Sequence, residues 1–310
     1  MTSEGIRPSP SIYDRHPELR EPAIKGELPN HLFIIPDGNG RWANANGLRM
    51  PMRFATPLLT FAGKNEQFGK LLSSLQSIQQ RGLTSPLMGH IAGVEKFMAT
   101  SRDLRELPIK FFGGWAFAGG PEDNSGNWTR QPTSGIDEVT GLFLVMSYLL
   151  NTYTPEINET NGIFKVIGRR DRIPRYLKDD IEKAESLTEN NTGQVIYLAI
   201  DYGGIDQEIR EDQELFRRIT AGEITDVSQI TPALRNSLLD GGGAIPPMDL
   251  IIRTSGEQRI SDLGTLATNA EFYSEPKFFP DLKTEDIVKA LIDYTNRDRR
   301  FGGRPSAASK

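Results

Sequence analysis

The chain has 310 residues, of which 37% are hydrophobic and 25% charged, enough for a large core in one or two domains. Cysteine is absent, which excludes disulfides and thiolate metal sites, and the three histidines are too scattered to form a zinc site. The net charge of −5 argues against general binding of nucleic acid. We expect a cytoplasmic protein, because the N-terminus has no secretory signal and no apolar run reaches the ~18 residues of a membrane span.

Residues 1–29 contain five prolines and few large apolar residues, which predicts an extended or disordered N-terminal arm, with packing of part of it on the body as an open alternative. Beyond this arm, short apolar segments alternate with segments of helical periodicity. Strands are predicted at 31–35, 109–117, 163–168, 194–201, 248–254 and 270–274, and helices at 137–153, 174–190 and 284–300. The alternation predicts an α/β fold, with a central, mainly parallel sheet surrounded by helices, in a single domain over 30–303. Residues 304–310 are predicted to form a flexible tail.

The segment "PDGNGRW" (36–42) follows the first predicted strand. Asn-Gly commonly forms a hairpin turn, but a hairpin requires a second alternating strand, and "ANANGLRM" after Trp42 does not alternate. The two glycines would instead let the backbone approach a phosphate group closely. Asp37 is suited to Mg²⁺, and Arg41 adds a cationic hydrogen-bond donor. We therefore interpret this segment as an anion site rather than a turn.

A second polar segment, "RTSGEQRIS" (253–261), directly follows "MDLII" (248–252) and includes the last two residues of the strand predicted at 248–254. Its two arginines, hydroxyl groups and glycine suit a diphosphate, which needs paired N–H donors and backbone room. The alternative for either segment is a solvated polar loop with surface ion pairs. Two such segments after strands of one parallel sheet favour a shared ligand site, because ligands bind beyond the carboxyl ends of such strands. The basic run "GRRDRIPR" (168–175) is interpreted as a solvated face, and His90 is expected to open a helix near the anion site.

Taken in order, these motifs resemble those of the cis-prenyltransferases, whose best-known member is undecaprenyl diphosphate synthase. The resemblance runs from residue 31 to 303 and is carried by "HLFIIPDGNGRWANANG", "GHIAGVEKF", "NWTRQP", "VIGRRDRIP" and "DLIIRTSGEQRISD". It implies an enzyme that extends an allylic diphosphate primer with isopentenyl diphosphate, forming Z double bonds. It also implies Mg²⁺ as the cofactor, a homodimer, and peripheral membrane contact for product release.

The resemblance further implies roles for individual residues. Asp37 and Asn39 would be catalytic, and Asp37 and Glu271 would hold the metal. Arg253, Arg259 and Ser261 would bind isopentenyl diphosphate. The other substrate-binding residues implied are Gly38, Gly40, Arg41, Trp42, Arg49, His90, Asn127, Trp128 and Arg130.

The sequence departs from the family pattern in three places. A segment of about 48–88 is inserted before "GHIAGVEKF", and we expect it at the mouth of the active crevice. Arg49, Arg53 and Arg81 are all candidates for the arginine that the family places before this histidine. The segment before "NW" is longer and has Ala118 in place of a serine, and "LGTLAT" (263–268) replaces a bulky run near the family's dimer contact.

These departures leave the type of prenyl reaction open. The first alternative to chain elongation is another prenyl diphosphate reaction on the same fold, such as irregular coupling or cyclisation. The second is a non-catalytic partner subunit, against which the intact Asp37 and arginines argue. A growing prenyl chain needs an apolar tunnel, and the helix containing Leu142, Phe143, Val145, Met146 and Leu149 is expected to line it. Ala116 is small where the family places a residue that stops elongation, which predicts a product longer than farnesyl diphosphate.

Overall fold

A computed structural model describes residues 10–46, 86–122, 126–129 and 138–299 of the chain. Its centre is a sheet of six strands, which fall where the sequence predicts them to within two residues at each end. The strands are β1 (His31–Ile35), β2 (Phe111–Ala118), β3 (Ile163–Ile167), β4 (Val195–Tyr202), β5 (Leu250–Arg253) and β6 (Glu271–Ser274).

The sheet is parallel throughout, which confirms the predicted fold class. The strand order is β3–β4–β2–β1–β5–β6, and each neighbouring pair runs in the same direction. From β1 the chain crosses to β2 on one side, whereas from β5 it crosses to β6 on the other side. The connections therefore diverge between β1 and β5. The crevice beyond their carboxyl ends is the expected ligand site of an open parallel sheet.

Helices pack around this sheet, and those predicted at 137–153, 174–190 and 284–300 are confirmed as α5, α6 and α9. The helices are α1 (Ile12–Arg15), α2 (Arg20–Lys25), α3 (Asn39–Ala45), α4 (Pro86–Leu104), α5 (Glu138–Glu159), α6 (Arg175–Thr188), α7 (Gly204–Thr220), α8 (Pro232–Leu238) and α9 (Thr284–Thr295). Within the described ranges, no helix combines the length and the apolar character needed to cross a bilayer.

Strands β1, β4 and β5 are buried on both faces, which explains their nearly continuous apolar sequences, whereas the edge strand β6 is only partly buried. On β1, Leu32 and Ile34 enter the larger core, whereas Phe33 and Ile35 enter a smaller core on the opposite face. Side chains from α4, α5, α6 and α9 complete the larger core. The smaller core is closed by the chain around Met248 and Leu266.

Within the described residues, the N-terminal arm packs in part on the body, but its conformation differs from the prediction. Residues 12–25 form the short helices α1 and α2 instead of an extended or disordered segment. Ile12 and Leu19 are fully buried in the larger core, and Arg15 pairs with Asp103 at 2.7 Å. Two apolar anchors thus fix a segment whose proline content suggested disorder.

Other sequence interpretations also need correction. Helix α4 begins at Pro86, so His90 lies inside the helix and does not open it. The run "GRRDRIPR" is not simply a solvated face, because Arg172 is 9% exposed and pairs with the fully buried Asp201 at 2.6 Å. Helix α7 has no counterpart among the predicted helices. Most of the inserted segment, and with it its predicted place at the crevice mouth, lies outside the described residues.

Candidate active site

The two polar segments singled out in the sequence meet at the β1–β5 crevice. Ile35 on β1 pairs in register with Arg253 on β5, which places the residues after each strand side by side. Arg253 Nη2 donates a hydrogen bond to Asp37 Oδ2 at 2.9 Å. Residues more than two hundred positions apart in sequence are thereby joined in one ion pair.

The Asp37 carboxylate accepts hydrogen bonds from three groups in this crevice, one of which is Arg253. Its Oδ1 accepts hydrogen bonds from the Gly38 N–H at 2.8 Å and from Arg41 Nη2 at 3.0 Å. Burial opposes ionisation of this carboxyl, but the hydrogen bond and charge of Arg253, with Gly38 and Arg41, outweigh it and lower the pKa of Asp37. Asp37 is therefore a fixed anion at neutral pH, with 27% of its side chain exposed.

The backbone around Asp37 is held in place by Thr254. The Asp37 N–H donates to Thr254 Oγ1 at 2.8 Å, and the same hydroxyl donates to the Asp37 carbonyl at 2.8 Å. Gly38 then turns into α3 with a left-handed φ of 92°. A Cβ at Gly38 would lie 2.5 Å from Phe278 Cδ1, so only glycine fits this turn. No hairpin forms, in agreement with the sequence interpretation.

The anion site predicted at 36–42 differs in one detail from its prediction. The Gly38 N–H bonds Asp37 and is not directed at open space, whereas Asn39 and Gly40 form the first turn of α3. N–H groups in the first turn of a helix have no partner within that helix. Arg41, also on this turn, has 51% of its side chain exposed.

Arg253 organises the opposite wall of the crevice. Its Nη1 donates to the Arg259 carbonyl and to Ser261 Oγ, each at 2.6 Å. Ser261 has a left-handed φ of 57°, which aims its hydroxyl back at the arginine. The guanidinium is nearly buried, and its Nε has no hydrogen-bond partner among the described residues. Arg253 thus positions both walls of the site.

The side chain of Arg259 is directed away from this pair. It is 65% exposed and forms an ion pair with Glu257. Glu257 also lies 3.6 Å from Arg41, so one carboxylate connects the two exposed arginines. Glu257 is a site residue that sequence reasoning missed, and Thr254, whose hydroxyl was expected to serve a diphosphate, instead holds the Asp37 backbone. The signal for Glu257 was present, since it stands between the arginines of "RTSGEQR".

Asn39 and His90 form the next layer of the crevice. Asn39 packs against α4, where glycines make room: a Cβ at Gly93 would lie 2.7 Å from Asn39 Oδ1. This Oδ1 is buried without a hydrogen-bond partner among the described residues. His90 Nε2 lies 3.1 Å from Glu138 Oε1 on α5. The unsatisfied acceptor on Asn39 is suited to a donor from a ligand or its hydration shell.

Below this layer lies an apolar cavity of about 150 Å³ between α4, α5 and the sheet. Asn39, His90 and Asn127 line its polar end. Further residues that line it are Val94, Phe97, Ala116, Leu142, Met146, Leu149, Leu150, Tyr153, Thr154, Ile157, Phe164 and Leu198. Leu142, Met146 and Leu149 line the cavity as predicted, and Ala116 lines it too. Phe143 and Val145 are not among its lining residues, because Phe143 packs against Phe117 and Trp128 instead and Val145 is fully buried elsewhere. A polar, cationic mouth above an apolar cavity suits a ligand with an anionic head and a hydrocarbon tail.

The wall of the cavity beside β2 is held by Trp128. Its indole N–H donates to Asp201 Oδ1 at 2.8 Å, and its ring lies edge-on to Phe117 at 5.1 Å. The guanidinium of Arg172, which pairs with Asp201, lies 5.6 Å from the centre of the same ring. Trp42 is held separately, by a 2.7 Å hydrogen bond from its indole N–H to Asp281 Oδ1.

Glu271, the second metal ligand implied by the resemblance, does not reach the crevice. It begins β6 and pairs in register with Leu250, whereas the crevice lies beyond Arg253 at the other end of these strands. Its carboxylate forms an ion pair with Arg297 at 2.8 Å. Within one chain, therefore, Asp37 and Glu271 cannot share a metal ion. Arg49 and Arg130 lie outside the described residues.

Comparisons with known proteins agree with this geometry. A sequence profile of a family described as putative undecaprenyl diphosphate synthase matches residues 78–302. The chain belongs to this family of prenyl-transferring enzymes. An isoprenyl transferase of Clostridium perfringens is 31% identical over 281 residues, covering 90% of this chain and 92% of the relative. One of Brucella abortus is 32% identical over 282 residues, covering 91% of this chain and 92% of the relative.

A solved structure shares the fold. The lavandulyl diphosphate synthase of Lavandula x intermedia, in complex with dimethylallyl diphosphate, superposes with a TM-score of 0.69 at 26% identity. The match covers 89% of this chain and 99% of that one. The family and fold expected from the motifs are therefore confirmed.

Proposed function

We propose that this enzyme condenses isopentenyl diphosphate with an allylic diphosphate primer, forming a Z-polyprenyl diphosphate and releasing diphosphate. The observation that carries the proposal is the position of the cluster of Asp37, Arg41 and Arg253, which stands at the polar end of an apolar cavity. The cluster provides charged donors for two diphosphates. The cavity provides an apolar environment for the hydrocarbon.

The two diphosphates would occupy opposite walls of the crevice. The first turn of α3, with Gly38, Gly40 and Arg41, would hold the allylic diphosphate directly above the cavity that takes its tail. Arg253, Arg259 and Ser261 on the β5 side would hold isopentenyl diphosphate. Trp42 and the pair of Asn127 and Trp128 would border the primer, and His90 would face its head from α4.

In the proposed condensation, the allylic C–O bond breaks and diphosphate leaves with the bonding electrons. The double bond of isopentenyl diphosphate then forms the new C–C bond at the allylic carbon. The carbon next to the diphosphate-bearing carbon of this second substrate then gives up a proton to the released diphosphate or to water, and the electrons of that C–H bond form the new double bond. Negative charge grows on the leaving diphosphate, so the Arg41 guanidinium and the N–H groups of α3 stabilise the transition state. The Asp37 carboxylate stays ionised and holds Arg41 and Arg253 in place for both substrates.

Mg²⁺ fits this site only together with substrate. Among the described residues, no three or more His, Asp or Glu side chains gather as a metal site made by protein alone. Mg²⁺ is commonly held by one or two carboxylates together with substrate phosphates, and the part-exposed Asp37 carboxylate has lone pairs to spare. Asp37 would therefore hold the ion with the diphosphates. When bound, Mg²⁺ supplies positive charge to the leaving group.

One comparison favours a second candidate function. The lavandulyl diphosphate synthase shares the fold and was solved with dimethylallyl diphosphate, so this chain is also a candidate for irregular coupling. The two functions differ in what the cavity must hold, because irregular coupling stops after one bond. An assay with Mg²⁺, isopentenyl diphosphate and each of the dimethylallyl, geranyl, farnesyl and geranylgeranyl primers separates them. Successive additions support elongation, and coupling of two dimethylallyl units supports the alternative.

A homodimer is part of the proposal and has a candidate surface on α7. Four large apolar side chains of this helix are at least 41% exposed: Ile205, Ile209, Phe216 and Ile219. Their spacing puts them on one side of the helix. A contiguous apolar stripe on a monomer surface is typical of an interface. The cytoplasmic location and the membrane contact expected from the sequence remain predictions.

A further inference from the structure

The apolar cavity has a thin side wall between α5 and α6. A surface groove of about 60 Å³ lies on the outer side of this wall, lined by Asn151, Pro155 and residues of α6. Leu150 and Thr154 line both the cavity and the groove. A single layer of two side chains therefore separates the buried cavity from the protein surface.

The backbone of α5 is irregular at this wall. Pro155 lies inside the helix and lacks the N–H that would bond the carbonyl of Asn151. The hydroxyl of Thr154 donates to the Leu150 carbonyl at 2.6 Å, and the amide of Asn151 donates to the Ser147 carbonyl at 2.9 Å. Side-chain bonds of this kind compete with the backbone ladder and bend helices. The wall is thus built from a part of α5 that lacks one backbone hydrogen bond.

The position of the wall along α5 matters for an elongating product. Leu142 lines the upper cavity, and Leu150 lies eight residues further along, at about 1.5 Å per residue roughly 12 Å deeper. Ile157 and Phe164 close the floor below it. New isoprene units enter at the diphosphate end, so every addition pushes the distal end of the chain deeper. Once the floor is reached, the chain can continue only through a wall.

We infer that the distal end of a long product passes between Leu150 and Thr154 into the groove between α5 and α6. The inference rests on the proposed elongation reaction and adds its exit route. The outer rim supports it: Leu187 on α6 is 49% exposed and lines the groove, offering apolar contact to an emerging chain. The inference also names Leu150 and Thr154 as residues that determine product length.

The absence of cysteine allows a direct test by thiol protection. The variant Leu187→Cys places a single thiol at the groove rim, and Ile24→Cys places one at an 86% exposed position on α2 as a matched control. Each variant is treated with a maleimide in the presence of farnesyl diphosphate or an all-Z heptaprenyl diphosphate. We expect heptaprenyl diphosphate alone to slow alkylation of Leu187→Cys by several fold. The Ile24→Cys control should react equally in all conditions.

Binding is followed in parallel by tryptophan fluorescence, because Trp128 packs against the larger core next to Asn127, which lines the cavity. If heptaprenyl diphosphate changes this fluorescence while Leu187→Cys stays unprotected, the exit route is wrong and the proposed function stands. If no prenyl diphosphate binds, the proposed function fails and the inference fails with it.

Product length gives an independent measurement. The variant Leu187→Trp covers the groove from outside without lining the cavity, and we expect it to shift products toward shorter chains. Leu150→Ala should shift them toward longer chains, and Ile24→Trp should leave them unchanged. Ala116→Leu, inside the cavity, should shorten products whether or not the chain leaves through the groove. A closed cavity would give the wild-type distribution in Leu187→Trp, and that result would overturn the inference.

Discussion

Asp37 and Arg253 form one ion pair that, in the proposed reaction, would organise the site for two anionic substrates. Arg253 is nearly buried, and a buried cation without a partner would be costly. Asp37 neutralises it while remaining part-exposed toward the crevice. The pair therefore keeps a guanidinium fixed beside the reaction without leaving the resting site strongly charged.

Replacement of Asp37 by alanine should abolish turnover while the protein remains folded. Removing a key electrostatic group of this kind lowers kcat by on the order of 10²–10³ or more. The measurement is turnover in Mg²⁺ buffer, with circular dichroism to confirm folding. The surface variant Asp14→Ala, which removes only an ion pair with Arg20, is the control. Turnover of Asp37→Ala within a few fold of wild type would refute the assignment.

Arg253 at the end of β5 and Arg259 in the loop after it should behave differently when truncated. Arg259→Ala removes an exposed donor worth roughly 1.5–3 kcal/mol, so it should raise KM for isopentenyl diphosphate without changing stability. Arg253→Ala should also lower kcat and the urea midpoint, because Asp37 and Ser261 lose their common donor. KM for each substrate and urea unfolding measure both effects. If Arg259→Ala changes only the KM of the allylic primer, the two diphosphate sites are reversed.

At the residue scale, the sequence identified the residues that follow strand ends. Asp37, Arg41 and Arg253 could be placed together because parallel strands end at one edge. Glu271 could not be placed correctly by its motif alone, since it begins a strand and points to the other end of the sheet. The role of Glu257 depends on where Arg41 and Arg259 lie in space, which spacing alone does not reveal.

At the scale of elements, buried strands and amphipathic core helices were predictable because their apolar periodicity faces the core. Helix α7 was not, because many of its apolar residues lie on the outer surface and its sequence is rich in charge. The N-terminal helices α1 and α2 were also missed. They are short, and their stability comes from burial of Ile12 and Leu19 rather than from local propensity.

The exposed stripe on α7 should mediate self-association. The variant Phe216→Glu introduces a charge at a side chain that is 71% exposed in the single chain, so the monomer should fold normally. We expect sedimentation velocity to show a dimer for wild type and a shift toward monomer for the variant. Val227→Glu, at an 81% exposed position outside α7, serves as control. An unchanged dimer in Phe216→Glu would place the interface elsewhere.

At the scale of the whole molecule, stability should depend on the protonation of one buried histidine. Burial lowers the pKa of His31 from 6.5 to about 4, against the opposing carbonyls of Pro246 and Pro247 and the charge of Asp249. Its Nε2 lies 2.8 Å from the hydroxyl of Tyr197 on β4. Between these pH values the unfolded chain binds the proton and the folded chain does not. His31 therefore favours the folded state fully above pH 6.5, and this contribution is lost as the pH falls toward 4.

We expect the free energy of unfolding to fall by on the order of 3 kcal/mol between pH 6.5 and 4, since one pKa unit corresponds to about 1.4 kcal/mol. Urea unfolding at a series of pH values between 7 and 4 measures it. His31→Gln cannot titrate and should show a flatter profile over the same range, although it is less stable at neutral pH. If the free energy of unfolding depends on pH equally in wild type and His31→Gln, other groups control stability in acid.

The strand order and the crevice position belong to the whole molecule and were only partly predictable. The alternation of elements predicted a parallel sheet, but which strands neighbour each other depends on how helices cross its faces. That order places β1 beside β5 and so creates the crevice. Its apolar cavity follows from the packing of α4 and α5 against the same sheet.

The most direct test of this account is the product formed by wild-type enzyme with Mg²⁺, isotopically labelled isopentenyl diphosphate and farnesyl diphosphate. The account predicts several labelled units per product, added in sequence, with Z geometry at each new double bond by nuclear magnetic resonance. No label should enter product with Asp37→Ala. A wild-type product that contains no isopentenyl unit, or that forms only by coupling of two dimethylallyl diphosphates, would contradict it.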